Sequence, residues 1–307
     1  LPTVDNIYQV PLILEDEGLG QLITEALDLP DRLLNLSDWR NMVYQNMSPM
    51  ERLSIAVVGK YTELHDSYIS VKEALRHAGY QYNREVDVEW INSEELEQLE
   101  PHDVLRNVSG ILVPGGFGSR GVEGMIKTVE YARANHIPYL GLCLGMQVMV
   151  IEHARHLLGL QGANSTEFDP GTPHPVIDIM PEQVGVDQLG GTMRLGNYPC
   201  QILAGTKAGI AYSSDFVIER HRHRFEFNNA YREALQETGL LASGLSPEGH
   251  LVEITEQIDH PFMLGVQFHP KFRSRPQQPH PLFAAFVGAA SSIMREGAQH
   301  TLPLDRG

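Results

Sequence analysis

The sequence predicts an α/β fold in which helices flank a doubly wound, mostly parallel sheet. Apolar, β-rich runs alternate with segments of helical spacing between residues 53 and 147. The run Ser109-Gly-Ile-Leu-Val-Pro114 is continuously apolar, which is typical of a parallel strand covered on both faces. This alternation predicts right-handed crossovers and a functional site at the carboxyl ends of the strands.

Composition excludes several classes of function. The 307 residues, 42% hydrophobic and 20% charged, suit a soluble globular protein with one large domain and an appendage. A net charge of −16 argues against a nucleic-acid partner, because phosphate binding needs clustered Lys and Arg. No apolar stretch reaches the roughly 18 residues that a membrane span needs, and no signal pattern begins the chain. Two cysteines, Cys143 and Cys200, fit a reducing compartment, so we expect a cytoplasmic protein.

Residues 1–50 are predicted to be a linker and the end of a preceding domain. They hold too little apolar content to bury a core of their own, and the chain does not begin with Met, which indicates a piece of a longer polypeptide. Residues 7–14 favour an extended strand, residues 20–29 a short helix, and residues 38–49 a helical face that carries Trp39 and Tyr44.

Residues 51–297 are predicted to form the main domain, and residues 298–307 a disordered tail. Strands are predicted at 53–59, 86–91, 109–114, 136–141, 176–179, 192–195, 217–227, 251–255 and 262–268. Helices are predicted at 68–77, 122–135, 229–238 and 282–294, with another beginning at Leu144. Glycine and proline are frequent over 161–199, which predicts a small antiparallel ribbon inserted after the helix that begins at Leu144.

The stretch Gly141-Leu-Cys143-Leu-Gly145 predicts a nucleophile elbow, a sharp turn between a strand and a helix. The positive end of the following helix should lower the thiol pKa of Cys143 and favour the thiolate. A small hydrophobic residue that ends a core strand is the alternative interpretation.

His269 is the candidate base, since it directly follows an apolar run and Pro270 cannot continue a strand. A structural histidine at a strand end is the alternative. The backbone N–H groups of Leu144 and of Gly115 or Gly116 could form an oxyanion hole, because glycine allows close backbone approach. A flexible turn is the simpler interpretation of the two glycines.

These stretches together resemble the class I (triad-type) glutamine amidotransferases. The motifs are Pro114-Gly-Gly-Phe-Gly118, Gly141-Leu-Cys143-Leu-Gly-Met-Gln147 and Gln267-Phe-His269-Pro270. Others narrow the resemblance to the C-terminal glutaminase domain of the branch that aminates UTP: Gly59-Lys-Tyr-Thr62, His65-Asp-Ser-Tyr68, Arg120-Gly-Val-Glu-Gly124, Asn164-Ser-Thr-Glu167-Phe168, Gly190-Gly-Thr-Met-Arg-Leu-Gly196, Glu219-Arg-His-Arg-His-Arg-Phe-Glu226 and His280-Pro-Leu-Phe283. The resemblance spans about residues 53–294, and residues 1–50 resemble the end of an amidoligase domain with its interdomain linker.

The resemblance implies that Cys143 attacks the side-chain amide of L-glutamine and releases ammonia through a thioester. Residues implied to bind glutamine are Gly116, Phe117, Leu144, Gly145, Met146, Gln147, Glu167 and Arg224. A zwitterion needs an anion for its ammonium and a cation for its carboxylate, which suits Glu167 and Arg224. An ordinary surface ion pair is the alternative for these two side chains.

The resemblance also implies partners outside this domain. Ammonia would pass through a tunnel to the amidoligase domain, which uses ATP and Mg²⁺ to convert UTP into CTP, and the full-length protein would be a homotetramer. GTP would be an activator, with Arg120, Gly121 and Glu123 as a possible effector region. No cofactor or metal is expected in this domain. The pair His221 and His223 has metal-ligand spacing, but alternating arginines make a poor setting for a divalent cation.

Lys271 departs from the family, which has glutamate at this third position of the triad. A carboxylate would accept the N–H of His269 and stabilise the imidazolium, whereas an ammonium cannot. Its charge also disfavours protonation of the ring. An engineered substitution, a natural domain with impaired glutaminase activity, and another carboxylate in its place are the possible explanations. A domain that keeps the fold for assembly or regulation is therefore the alternative function.

Overall fold

The computed structural model of the chain describes residues 3–4, 6–30, 34–47, 50–179 and 193–300. The chain divides into two units, residues 1–51 and residues 52–307. The predicted tail over 301–307 and part of the predicted strand over 192–195 lie outside the described residues.

The first unit contains only helices among its described residues. They are α1 (Val10–Asp16), α2 (Leu19–Ala26) and α3 (Ser37–Met47), with a 3-10 turn at Ile7–Gln9. The predicted strand over 7–14 is wrong. Asn6 caps the turn by accepting a hydrogen bond from the N–H of Tyr8 at 3.0 Å. Pro11 lies in the first turn of α1, where its missing N–H costs no helical hydrogen bond.

The second unit is built on strands and helices in alternation. Its strands are β1 (Glu51–Gly59), β2 (Arg84–Asn92), β3 (Gly110–Val113), β4 (Tyr139–Leu142), β5 (Ala163–Ser165), β6 (His174–Ile179), β7 (Arg194–Ile202), β8 (Phe216–His223), β9 (Phe225–Phe227), β10 (Leu240–Leu245), β11 (Val252–Gln257) and β12 (Met263–Val266). Its helices are α4 (Ile69–Gln81), α5 (Glu95–Gln98), α6 (Pro101–Leu105), α7 (Val122–Ala134), α8 (Leu144–His156), α9 (Lys207–Tyr212), α10 (Arg232–Glu237) and α11 (Pro281–His300).

Nine strands form one sheet in the order β2-β1-β3-β4-β12-β11-β10-β7-β8, and β5, β6 and β9 form a smaller one. Strand β3 pairs in parallel with β1 and β4, and β4 pairs in parallel with β12. The α/β class with a mostly parallel central sheet is thus confirmed. Among the described residues, the two strands predicted within the ribbon over 161–199 do not pair with each other. Strand β6 pairs with β5 and β9 in the smaller sheet, whereas β7 pairs with β8 and extends the main sheet through β10 and β11.

The sheet separates two apolar cores, as the alternation of β1 shows. Ile55 and Val57 belong to one cluster of buried side chains, while Ala56 and Val58 belong to the other. Strand β10 and helix α9 are absent from the sequence prediction, because Leu-Leu-Ala-Ser-Gly-Leu has no clear period and α9 is short. Helix α11 continues to His300, so the predicted end at Met294 is too early, and residues 298–300 are helical rather than part of a tail.

No helix in the described part of the chain combines the length and the apolar character that crossing a membrane requires.

The glycines around Cys143 allow α8 to approach the sheet closely. A Cβ on Gly145 would lie 2.1 Å from the carbonyl oxygen of Val113, and one on Gly141 would lie 2.5 Å from the carbonyl carbon of Gly145. Helix and strand therefore meet backbone to backbone.

We expect Gly145→Ala to destabilise the protein by about 3 kcal/mol, since overpacking a rigid backbone contact costs on this order. Helix propensity alone predicts the opposite sign, a gain of roughly 0.5–1 kcal/mol. Urea unfolding measures the difference. Gly171→Ala is the control, because a Cβ there would meet only Asp169 Oδ1, at 3.5 Å. A smaller loss of stability for Gly145→Ala than for Gly171→Ala would contradict the expectation.

Candidate active site

Cys143 lies in a sharp turn between β4 and α8. It is the N-cap residue of α8 and has φ 53° and ψ −99°, a conformation that is rare for a residue other than glycine. The thiol is buried, receives a hydrogen bond from Gln267 Nε2 at 3.6 Å, and donates to the carbonyl of Arg222 at 3.9 Å. Strained backbone that aims a nucleophilic side chain is typical of active sites.

His269 reaches the same place because β12 pairs with β4. Val266 is in register with Leu142, so the residues that follow these two strands emerge at one edge of the sheet. A Cβ on Gly115 would lie 3.0 Å from His269 Cε1 and 3.5 Å from Cys143 Cβ. The fold thus brings together three residues that the sequence predicts for the site.

Burial dominates the ionisation of this pair. It raises the pKa of Cys143 to about 12, although the charge of Lys271 and the N–H of Leu144 act in the opposite direction. The expectation of a lowered thiol pKa is therefore wrong, because the apolar surroundings outweigh the helix terminus. Burial and then the charge of Lys271 lower the pKa of His269 to about 3. Both groups are neutral at neutral pH.

Lys271 lies on the 3-10 turn Pro270–Arg273, directly after the candidate base. Its Nζ lies 5.3 Å from the ring centroid of Phe272, and burial lowers its pKa to about 8. Neither ring nitrogen of His269 has a partner at good hydrogen-bond geometry among the described residues, although the backbone of Arg222 lies close enough to favour the protonated ring. Within that part of the chain, no carboxylate is hydrogen-bonded to the ring of His269.

A cavity of about 100 Å³ opens beside Cys143. It is well below the roughly 300 Å³ at which pockets for drug-sized ligands begin, which suits a ligand of amino-acid size. Its lining residues are Gly116, Phe117, Cys143, Gln147, Glu167, Met193, His223, Arg224 and Phe225. The sequence-based prediction did not include Met193, His223 and Phe225, although all three occur in two of the quoted motifs. Leu144, Gly145 and Met146 are buried in the first turn of α8 and do not line the cavity.

The cavity presents opposite charges. Glu167 Oε1 accepts a hydrogen bond from the N–H of Gly118 at 2.8 Å. The Nε of Arg224 is buried and has no hydrogen-bond partner among the described residues. In this part of the chain, Glu167 and Arg224 do not form an ion pair with each other. Gln147 Nε2 donates to the carbonyl of Phe225 at 3.2 Å, so its side chain is fixed. A carboxylate and a guanidinium with an unsatisfied Nε in one cavity suit a zwitterionic ligand.

The two histidines of the Arg-His-Arg-His-Arg run bond to each other instead of forming a metal cluster. His221 Nδ1 lies 2.9 Å from His223 Nε2, and burial lowers the pKa of His221 to about 2. Beside them, Arg194 Nη1 contacts Glu253 Oε1 at 2.6 Å. The described residues contain no group of three or more His, Cys, Asp or Glu able to hold a metal ion.

The three residues of the possible effector region make structural contacts. Arg120 Nη2 donates to the carbonyl of Lys60 at 3.0 Å, and Gly121 is the N-cap of α7 with φ 68°. Glu123 forms an ion pair of 2.7 Å with Arg155. These contacts neither require nor exclude a bound nucleotide, and the GTP assignment stays a prediction.

Comparison with known proteins identifies the family to which the chain belongs. The family model named glutamine amidotransferase class-I matches residues 63–289, so the chain belongs to the class I glutamine amidotransferase family. Within that family its relatives are CTP synthases. Those of Roseiflexus castenholzii and Thermomicrobium roseum are 58% identical over 307 residues and 59% identical over 304 residues.

The chain spans about half the length of these curated relatives. All of it aligns with 55% of the Roseiflexus protein, and 99% of it aligns with 55% of the Thermomicrobium protein. Among solved structures, the glutaminase domain of Trypanosoma brucei CTPS with bound acivicin is 40% identical, with a TM-score of 0.74. That match covers 78% of this chain and 94% of the Trypanosoma domain.

Proposed function

We propose that this chain hydrolyses L-glutamine through a thioester on Cys143 and that Lys271 reduces its activity. The observation that supports the proposal is the meeting of Cys143, His269 and the Gly115–Gly116 backbone beside a cavity that holds Glu167 and Arg224. A nucleophile, a base and a backbone donor with room for an oxyanion are the parts that acyl transfer requires.

The reaction proceeds in two halves. Cys143 Sγ attacks the amide carbon of glutamine and its proton passes to His269, while the N–H groups of Leu144 and Gly116 stabilise the oxyanion. His269 then protonates the leaving nitrogen, the C–N bond breaks, and ammonia departs from the glutamyl thioester. A water molecule, deprotonated by His269, attacks the thioester, and glutamate and the free thiol are formed.

We propose the wider role by analogy with the CTP synthase relatives. The ammonia passes through a tunnel to an amidoligase domain of the same protein, where ATP and Mg²⁺ support the amination of UTP to CTP. GTP activates the glutaminase at a site that includes Arg120, Gly121 and Glu123, and the full-length protein is a homotetramer. No residue of this chain is assigned to ATP, Mg²⁺ or UTP.

One observation favours a second candidate function. His269 lies beside the Lys271 ammonium, and its ring has no hydrogen-bond partner among the described residues. A domain with such a base could keep the fold for assembly or regulation without turning over glutamine.

We expect acivicin, the compound bound in the Trypanosoma structure, to label Cys143 covalently, with L-glutamine protecting in proportion to its occupancy. Intact mass spectrometry with peptide mapping measures the modification. Cys200 is the internal control, because it is fully buried and burial raises the pKa of its thiol. Cys143→Ser should prevent labelling.

Labelling that glutamine does not slow, or equal labelling of Cys200, would contradict the proposed site. Absence both of labelling and of glutamine hydrolysis, in this chain and in Lys271→Glu, would favour the second candidate function.

A further inference from the structure

Lys60 is a buried lysine directly after the end of β1, in the motif Gly59-Lys-Tyr-Thr62, and the reaction above does not use it. Its Nζ donates to two successive backbone carbonyls, that of Phe117 at 3.1 Å and that of Gly118. The hydroxyl of Tyr68 fixes the backbone of Lys60 by accepting from its N–H at 3.2 Å. The ammonium therefore binds the segment that follows the candidate oxyanion glycines.

One peptide unit in that segment is held at both ends. The carbonyl of Phe117 and the N–H of Gly118 belong to the same planar trans peptide group and point in opposite directions. Lys60 binds the carbonyl, while Glu167 Oε1 accepts the N–H at 2.8 Å. Rotation of this peptide would break a charge-assisted hydrogen bond at each end.

The stem of Lys60 also packs beside the oxyanion position. A Cβ on Gly116 would lie 3.4 Å from Lys60 Cδ and 3.1 Å from Leu144 Cδ2. Gly116 thus lies between the alkyl chain of Lys60 and the side chain of Leu144, whose N–H is the second oxyanion donor. A shift of the Lys60 stem would move Gly116 relative to Cys143.

We propose that Lys60 is a positioning residue of the glutaminase site, which fixes the Phe117–Gly118 peptide and so aligns both the Gly116 N–H for the oxyanion and Glu167 for the substrate ammonium. The inference rests on the proposed glutamine hydrolysis. Lys60 touches neither the reacting atoms nor the substrate and acts through the backbone of residues 116–118.

The protonation of Lys60 gives the role a pH dependence. Burial lowers the pKa of Lys60 to about 8; Arg120 acts in the same direction, and Glu167, Glu94 and Glu97 oppose the shift. The ammonium is present below this pH and is lost as the pH rises through it. The neutral amine is a weaker donor to the Phe117 carbonyl, so alignment should loosen on the alkaline side.

The test compares Lys60→Met with Lys207→Met, both in the Lys271→Glu background. Lys207 is a matched control, because its Nζ also donates to two successive carbonyls, those of Gln257 at 2.9 Å and Ile258 at 3.0 Å. We expect Lys60→Met to lower kcat about 10–100-fold, less than the roughly 10²–10³-fold loss on deleting an oxyanion donor, and to raise KM for glutamine. Lys207→Met should change neither constant.

The dependence of kcat on pH distinguishes the two roles, because a purely structural role of Lys60 would not change it. In the Lys271→Glu background, kcat should decline above about pH 8, and this decline should be absent in Lys60→Met. Lys60→Gln, which keeps one amide donor, is a second variant if Lys60→Met does not fold, and it should fall between the two.

Three outcomes are distinguishable. Equal kcat and KM in Lys60→Met and Lys207→Met, or full kcat in Lys60→Gln, would overturn the inference and leave the proposed function standing. If Lys271→Glu does not hydrolyse glutamine but acivicin still labels Cys143, the inference requires slower labelling in Lys60→Met than in Lys207→Met. Absence of both glutamine hydrolysis and acivicin labelling in the Lys271→Glu protein would contradict the proposed function and the inference with it.

Discussion

Lys271→Glu is expected to raise kcat/KM for glutamine hydrolysis by up to about 10⁴-fold, the order by which the third member of a triad changes the rate. Glutamate would accept the free ring N–H of His269, which now has no hydrogen-bond partner among the described residues. It would fix the tautomer and stabilise the imidazolium that forms when Cys143 gives up its proton.

Electrostatics explain why kcat/KM should rise in Lys271→Glu. The charge of Lys271 is the second cause, after burial, of the lowered pKa of His269, and an anion at this position raises that pKa. The substitution has one opposing effect, because Lys271 also lowers the pKa of Cys143. We expect the gain at the base to be larger, since an anion beside His269 stabilises the imidazolium that must form each time Cys143 gives up its proton.

Lys271→Met separates the two parts of this effect. It removes the charge without supplying a hydrogen-bond acceptor, so its activity should lie between that of the unchanged chain and that of Lys271→Glu. A coupled glutamate assay measures all three proteins. Equal and robust hydrolysis in the three would show that the third position is unimportant here.

Arg224→Met is expected to raise KM for glutamine by about 10²–10³-fold with little change in kcat. Each hydrogen bond between charged groups contributes roughly 1.5–3 kcal/mol, and a guanidinium can hold the substrate carboxylate with two. The carboxylate is remote from the scissile amide, so the contact is made equally in the ground and transition states. The unsatisfied Nε of Arg224 in the cavity wall supports this role.

The experiment is done in the Lys271→Glu background, where turnover should be measurable. Arg232→Met is the control, because the Arg232 guanidinium donates to the carbonyl of Gly249, at 3.4 Å, and Arg232 does not line the cavity. A lowered kcat at unchanged KM would mean that Arg224 acts on the reacting atoms instead of binding the carboxylate.

Local sequence patterns determined the parallel half of the sheet and the position of the elbow. The runs that became β1, β3 and β4 are apolar, short and bounded by turn residues, so their period and length identify them. Gly141 and Gly145 indicated a close backbone approach between β4 and α8. The distances from a Cβ built on either glycine to the neighbouring backbone show that no side chain fits there. The prediction of a strand over 7–14 is wrong because its apolar residues also fit an extended pattern, whereas the structure has a 3-10 turn capped by Asn6 that leads into α1.

Only the tertiary structure decided the protonation and the alignment of the side chains at the site. Helix-terminus reasoning predicted a low thiol pKa for Cys143, but the pKa depends on everything that excludes water from the sulfur, and burial raises it. The pairing of β12 with β4 placed His269 beside Cys143, and the peptide held by Lys60 and Glu167 joins residues distant in the chain. Sequence therefore specified which side chains could do the chemistry, while packing set their charge and alignment, because solvation and hydrogen bonding depend on neighbours that chain order does not reveal.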